Sequence, residues 1–139
     1  MTPSLKWSWP PVAWGVVFGA FNALSPIAMA WLDPSTAYAL VIPLIAGVYI
    51  GFAVADGRTT VIVVESIVAS VFVMLAAAAI TGTAWLLVAA YAGHGIKDLW
   101  QHRTHFVENT RWWPPFCLTV DWVVAAVLII EIAAGFDFR

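Results

Sequence analysis

The sequence predicts an all-α integral membrane protein, a single domain built as a bundle of five transmembrane helices. Hydrophobic residues make up 63% of the 139 residues and charged residues only 10%, and the mean hydropathy is +0.90. Five apolar stretches, each long enough to cross a bilayer, are separated by short polar segments. These predicted spans are residues 11–32, 36–55, 59–80, 84–102 and 113–135. A chain of this composition is expected in the cell membrane as a multi-pass protein.

The first apolar stretch allows two interpretations. Lys6 precedes a run that ends in Ala28-Met29-Ala30, an order that is also found in secretory signal peptides. The run is longer than the apolar region of a usual signal peptide. We therefore expect it to be retained as a span, with a kink at Pro26 because proline removes a helical hydrogen bond.

Polar turns mark where the other spans begin. Asp33, followed by proline, starts the second span, and the turn Asp56-Gly57-Arg58 separates the second from the third. The third span is apolar except for Glu65 and two serines, whereas the fourth becomes polar on one face from His94 onward. The fifth span opens at Trp113 and two prolines, and proline is well tolerated at a helix start.

The positions of the lysines and arginines predict the orientation of the bundle. If the N-terminus is cytoplasmic, five of the six basic residues lie on the cytoplasmic side and only Arg139 lies outside; the five are Lys6, Arg58, Lys97, Arg103 and Arg111. Basic residues are enriched in cytoplasmic loops. The sequence therefore predicts an N-in, C-out topology.

Ionisable side chains from the last three spans are expected to share one layer of the bundle. His94, Asp98 and His102 repeat every fourth residue and so lie on one helix face. At about 1.5 Å of rise per residue, Glu65, His94, Asp98 and Asp121 all fall roughly 6–13 Å below the cytoplasmic surface. Charged groups at this depth are costly in lipid, so they should face a pocket inside the bundle.

This polar layer supports a metal-site hypothesis. Imidazole and carboxylate are the usual ligands of catalytic zinc and of non-haem iron, and a His94/Asp98 pair spaced i, i+4 can hold one ion. Asp121 is the expected third ligand, and His102 is a further ligand beside Asp98, the ligand of a second site, or no ligand. Glu65 is the candidate general base. The protein would then be a metal-dependent enzyme that acts on a lipid or another membrane-soluble substrate.

Two other hypotheses remain open at this stage. The same groups could relay protons or bind a cation in a small transporter or an accessory subunit, which would require a homo-oligomer or a larger membrane complex because five spans leave little room for a path. They could also be structural ties, with Glu65 neutralising Lys97 between the third and fourth spans. The few scattered basic residues argue against a nucleic-acid partner, and the single Cys117 excludes an intrachain disulfide.

The motif His94-x3-Asp98-x3-His102, followed by Cys117-x3-Asp121 on the last span, resembles that of small bacterial multi-span membrane proteins of unknown function. This resemblance covers the C-terminal third of the chain. More loosely, His and Asp ligands near one face of a membrane bundle are similar to those of the zinc amidohydrolases of the alkaline ceramidase superfamily. That similarity implies zinc-dependent hydrolysis of a lipid, although this chain is shorter than those seven-span enzymes and has no matching serine motif or third intramembrane histidine.

Overall fold

The computed structural model describes residues 8–139, and within this range the protein is all-helical without a β-strand. Lys6, on which part of the orientation argument rests, lies outside the described residues. The helices are α1 (Trp9–Ala23), α2 (Ser25–Ala28), α3 (Pro34–Asp56), α4 (Thr59–Thr81), α5 (Trp85–Thr104) and α6 (Trp113–Ala133).

The first predicted span is broken into two helices. Helix α1 ends at Ala23, Leu24 leaves the helical conformation (φ −89°, ψ 3°), and Pro26 is near the start of the short helix α2. The kink predicted at Pro26 is therefore a complete break that begins two residues earlier. The cause is physical, since a proline lacks the N–H that would continue the hydrogen-bond ladder and clashes with the preceding turn.

The turn at Asp33 is a well-formed helix cap. Its carboxylate accepts hydrogen bonds from the backbone N–H of Thr36 (2.9 Å) and from the hydroxyls of Thr36 and Ser35, both 2.7 Å to Oδ2. These bonds, led by that from the Thr36 hydroxyl, lower the pKa of Asp33 to about 2. The other end of α3 stops at Gly57, whose φ of 82° favours glycine.

Three of the helices, α3, α4 and α6, are long and apolar enough to cross a membrane. Helix α1 has only 15 residues, and α5 carries His94, Lys97 and Asp98 from its middle onward. The membrane character expected from the sequence is thus supported by three helices, while a count of five spans and their orientation stay predictions.

The helices pack in the order α1, α6, α5, α4, α3, each against the next, and α3 also meets α5. Glycines let α1 approach α6 closely. A Cβ atom added to Gly15 would lie 2.7 Å from the backbone oxygen of Phe116, and one added to Gly19 would lie 2.8 Å from Cβ of Val123. Such a small-x3-small spacing is the usual way for membrane helices to come into backbone contact.

Gly15→Ala is therefore expected to destabilise the protein. The new methyl group would collide with the α6 backbone, which cannot move as a side chain can, at a cost of about 1–3 kcal/mol. Denaturation in detergent, followed by tryptophan fluorescence, measures the effect. Gly47→Ala is the matched control, since nothing lies within 4 Å of a Cβ added there, and an equal loss in both variants would contradict this account of the α1–α6 contact.

Polar side chains join two connections at one end of the bundle, which we call the Arg58 end. The Arg58 guanidinium makes a two-pronged contact with Asp56 (2.7 and 2.8 Å) and donates to the backbone oxygen of Phe106 at 2.8 Å. Asp56 also accepts from the backbone N–H of Glu108 at 3.1 Å. The α3–α4 turn is thereby fixed to the α5–α6 connection, which holds α5 and α6 in register where they carry the polar residues.

Candidate metal centre

Four side chains with metal-binding atoms meet where α5 packs on α6. His94 and Asp98 come from α5, Cys117 and Asp121 come from α6, and one ligand atom of each lies within 4.8 Å of all the others. The two residues that each helix contributes are spaced i, i+4, so their side chains lie next to each other on one face of that helix. All four are buried, with at most 3% of any side chain exposed.

The imidazole of His94 lies between the two carboxylates. Its Nδ1 is 2.8 Å from Oδ2 of Asp121 and 3.4 Å from Oδ2 of Asp98. Because a carboxylate only accepts, the hydrogen bond to Asp121 requires a proton on Nδ1 of His94. A metal ion at Nδ1 would replace that proton, as is general for sites whose ligands must be deprotonated.

Several buried oxygens around His94 lack a hydrogen-bond partner among residues 8–139. They are both carboxylate oxygens of Asp98, Oδ1 of Asp121 and the hydroxyl of Tyr49. An unpaired buried polar group costs about 1–3 kcal/mol, and more if it is charged. Nδ1 of His94 lies 3.4 Å from one of these oxygens, and a bound cation could satisfy the others.

The donor set fits a divalent transition metal. A tetrahedral shell with bonds of 2.0–2.3 Å requires ligand atoms about 3.3–3.8 Å apart. The His94–Asp98 spacing of 3.4 Å falls in that range, the His94–Asp121 spacing of 2.8 Å is shorter, and all four ligand atoms lie within 4.8 Å of one another. One imidazole, two carboxylates and one thiol are ligands shared by zinc and iron, whereas magnesium and calcium prefer oxygen alone. The four residues could hold such an ion, and their chemistry leaves its identity open.

Aromatic rings fix the orientation of the His94 imidazole. The ring of Phe72 on α4 meets it edge-on with centroids 4.9 Å apart, and the ring of Tyr49 on α3 lies at 5.8 Å. The Tyr49 side chain is 1% exposed, and its hydroxyl lies near the carboxyl groups of Asp98 and Asp121 and the thiol of Cys117. Helices α3 and α4 thus complete the wall of a site whose ligand atoms come from α5 and α6.

A second polar cluster adjoins the first through Tyr49. The ammonium of Lys97 lies 3.1 Å from the centre of the Tyr49 ring, a cation–π contact, and forms a 2.7 Å ion pair with Glu65 on α4. Gln101 donates a hydrogen bond from its amide to the other oxygen of Glu65 and accepts one from the backbone N–H of Val107. The pairing of Glu65 with Lys97 that the sequence suggested is confirmed.

The sequence-predicted site residues are divided between these two clusters. His94, Asp98 and Asp121 are brought together as predicted, while Glu65 lies outside the ligand group with both of its oxygens engaged by Lys97 and Gln101. Its role as general base remains a prediction. His102 is not part of the ligand group and its ring lies 6.4 Å from that of His105, because two helical turns separate it from His94.

Cys117 takes the place in the group that His102 was expected to fill. From the sequence alone a packing role is favoured for Cys117 over that of a soft ligand, because a lone buried cysteine is usually a small hydrophobe. The available signal was its i, i+4 spacing to Asp121, the same spacing that joins His94 to Asp98. Gln101, which is fully buried between Glu65 and Val107, was missed, since nothing in an isolated glutamine distinguishes it.

Comparison with known proteins adds no relative. A scan against family models found no match, and searches of curated proteins and of solved structures found none either. The function is therefore inferred from the geometry of the two clusters.

The role of Cys117 can be tested with cobalt in place of the native ion. If Cys117 is a ligand, we expect the Co²⁺-loaded protein to show a thiolate-to-cobalt charge-transfer band in the near ultraviolet, and Cys117→Ser to lose it. The ligand-field bands of cobalt should persist in the variant with altered intensity, because three other ligands remain. A wild-type spectrum without the charge-transfer band would show that the thiol only packs beside the site.

Proposed function

We propose that this protein is a membrane-embedded metalloenzyme that binds one zinc or iron ion through His94, Asp98, Asp121 and Cys117 and acts on a lipid or another membrane-soluble substrate. The observation that carries the proposal is the convergence of four buried ligand atoms within 4.8 Å of one another. Among residues 8–139, both carboxylate oxygens of Asp98 and Oδ1 of Asp121 have no hydrogen-bond partner. An intramembrane cluster of ionisable groups generally marks a functional site.

The proposal includes five spans with the N-terminus in the cytoplasm. Helix α5 is less apolar than the other long helices, but its polar side chains His94, Asp98 and Gln101 are buried against neighbouring helices, so a crossing would not expose them to lipid. Helix α1 is short, and the first span would consist of α1 together with the short helix α2 that follows it. The Arg58 end, with the α5–α6 connection that carries Arg111, would then face the cytoplasm.

The chemistry that a divalent ion supplies at such a site is Lewis acidity, which activates water and polarises a carbonyl or phosphoryl oxygen. The residues of the chain have distinct parts. Asp98 and Asp121 provide the negative charge that holds the ion, and His94 contributes a neutral nitrogen. Tyr49, whose hydroxyl has no hydrogen-bond partner among the described residues, is placed to donate a hydrogen bond to a substrate oxygen.

The number of ligands restricts which ion would be catalytic. Four protein ligands complete a tetrahedral zinc site and leave no open position, which is typical of structural zinc. A catalytic zinc would therefore use three of the four, whereas a six-coordinate iron would keep two positions for water and substrate. We expect Cys117 to be the residue that distinguishes these cases, since it is the softest ligand and lies at the edge of the group.

The experiment that tests the proposal is metal analysis by plasma mass spectrometry on detergent-purified protein. Near-stoichiometric zinc or iron is expected in the wild type, and none in the His94→Ala/Asp98→Ala double variant, provided that the variant still elutes as a monodisperse species. Wild-type protein that takes up no metal after incubation with both ions would overturn the proposal. Lipid substrates would then be screened only with metal-loaded protein.

A second candidate function, proton or cation transport, is favoured by the cluster around Glu65. Gln101, Glu65 and Lys97 form a continuous buried path from the backbone of Val107 to the ring of Tyr49. In this case the protein would work as an oligomer or as an accessory subunit. Proteoliposome flux that depends on Glu65 and persists in metal-free protein would favour transport over the metalloenzyme.

A further inference from the structure

A lateral groove lies between α1, α3 and α6 on the side of the bundle away from α4. Its volume is about 620 Å³, it is partly open at the surface, and its walls are almost entirely apolar; Trp14, Phe18, Ile45, Val48, Phe116 and Cys117 are among the residues that line it. The aromatic rings interlock along one wall, with Phe18 and Phe116 centroids 5.6 Å apart. The groove is thus a preformed apolar channel and not a flat exposed face.

The groove leads to the candidate metal centre. Cys117 lines the groove and is also one of the four clustered ligand residues. Tyr49 packs with Phe116, Cys117 and Val120 in the small buried cluster between the two. A molecule in the groove would therefore lie beside Cys117, a residue of the ligand group whose side chain is 2% exposed.

We infer that the groove holds one acyl chain of a membrane lipid, with the lipid's ester or amide linkage at the level of Cys117. This inference rests on the proposed function and names its substrate class. In the proposed topology Trp112 and Trp113 lie at the headgroup interface, where tryptophan is enriched. Cys117 is four residues deeper than Trp113, about 6 Å along the helix, which is the depth of the first bonds below a lipid headgroup.

The size of the groove favours a hydrocarbon chain over a protein partner. The groove follows α1 only from Trp14 to Asn22, about 12 Å of helix, which is short for a docked helix. The area that the groove walls expose is also far below the ~800 Å² per partner of a stable interface between two copies. A single acyl chain is narrower than a helix and does not require an interface of that size.

Photolabelling in nanodiscs tests the inference. The bilayer is phosphatidylcholine doped with a phosphatidylcholine that carries a diazirine on its acyl chain, and labelled peptides are identified by mass spectrometry after irradiation. We expect the groove-lining residues of α1 and α6 to be labelled more strongly than the lipid-facing residues of α4. Val48→Trp fills the groove and should reduce groove labelling to the level on α4. Val54→Trp, on the same helix at an exposed valine outside the groove, should leave labelling unchanged.

Controls separate this inference from the metal proposal. The same labelling is performed on protein stripped with a chelator, because chain binding in the groove does not require the ion. Groove labelling in metal-free protein supports the inference even if no metal site exists. Uniform labelling of α1, α4 and α6, or crosslinking between two copies of the chain, overturns it even if metal is bound. Val41→Trp provides a second filling variant in case Val48→Trp does not fold.

Discussion

Asp98→Asn is expected to abolish stabilisation by metal while making the metal-free protein more stable. Both oxygens of Asp98 are buried and have no hydrogen-bond partner among residues 8–139. Without an ion this buried carboxylate has Nδ1 of His94 at 3.4 Å from its Oδ2, a contact too long for a strong hydrogen bond, so replacing it with a neutral isostere reduces a desolvation penalty. With an ion, the same replacement removes a ligand. A metal ligand is thus distinguished by a gain in stability of the metal-free protein together with a loss of stabilisation by metal. If Asp98 were a structural tie, the substitution would only destabilise the protein.

Thermal unfolding in detergent measures both effects. Zinc or iron at 1,000 times its dissociation constant should stabilise wild-type protein by about 4 kcal/mol, and Asp98→Asn should show no shift with metal. Glu131→Gln is the matched control, because Glu131 is a partly buried carboxylate on α6 that accepts a hydrogen bond from Tyr38 at 3.1 Å. If Asp98→Asn retains the full metal-induced shift, Asp98 is not a ligand.

Lys97→Met is expected to be the most destabilising single substitution described here. Glu65 is 1% exposed and Lys97 is 11% exposed, so loss of the ammonium leaves a buried carboxylate with only Gln101 beside it. Removing one partner of a buried ion pair costs about 3–5 kcal/mol. The free energy of unfolding can be measured by SDS titration with tryptophan fluorescence as the signal.

The double variant Lys97→Met/Glu65→Gln provides the internal check. It removes both charges while leaving an amide that Gln101 can still contact, so most of the lost stability should return. Arg103→Met serves as the exposed counterpart on the same helix, because Arg103 is exposed and exposed charges contribute little to stability. A double variant as unstable as Lys97→Met alone would show that Lys97 stabilises by packing on Tyr49 and not by charge.

The helices could be predicted well because their signals are local. The predicted spans 36–55, 59–80 and 113–135 correspond to α3, α4 and α6 within two residues at each end, since hydropathy and proline or glycine positions depend only on neighbouring residues. The break before Pro26 was placed close to its true position for the same reason. What hydropathy could not decide is whether α1 and α5 cross the bilayer, because one is short and the other is polar on the face that it buries.

The site could be predicted only as far as helical periodicity reaches. Spacing on one helix brought His94 and Asp98 together correctly, and an estimate of depth added Asp121 from α6. Choosing between His102 and Cys117 required knowledge of how α6 is rotated against α5, which the sequence does not display. That rotation is set by close packing at Gly95, where an added Cβ would collide with the indole of Trp122.

The glycine contact between α1 and α6 also constrains how the protein is made. Helix α1 is synthesised before α6, so in the proposed topology α1 enters the membrane before its packing partner exists. The candidate ligand group is likewise incomplete until α6 adds Cys117 and Asp121 to the two residues of α5. A polypeptide interrupted before α6 would hold an uncovered glycine face and an incomplete set of candidate ligands within the bilayer. Synthesis of α6 is therefore the step at which the α1–α6 packing and the candidate ligand group are both completed.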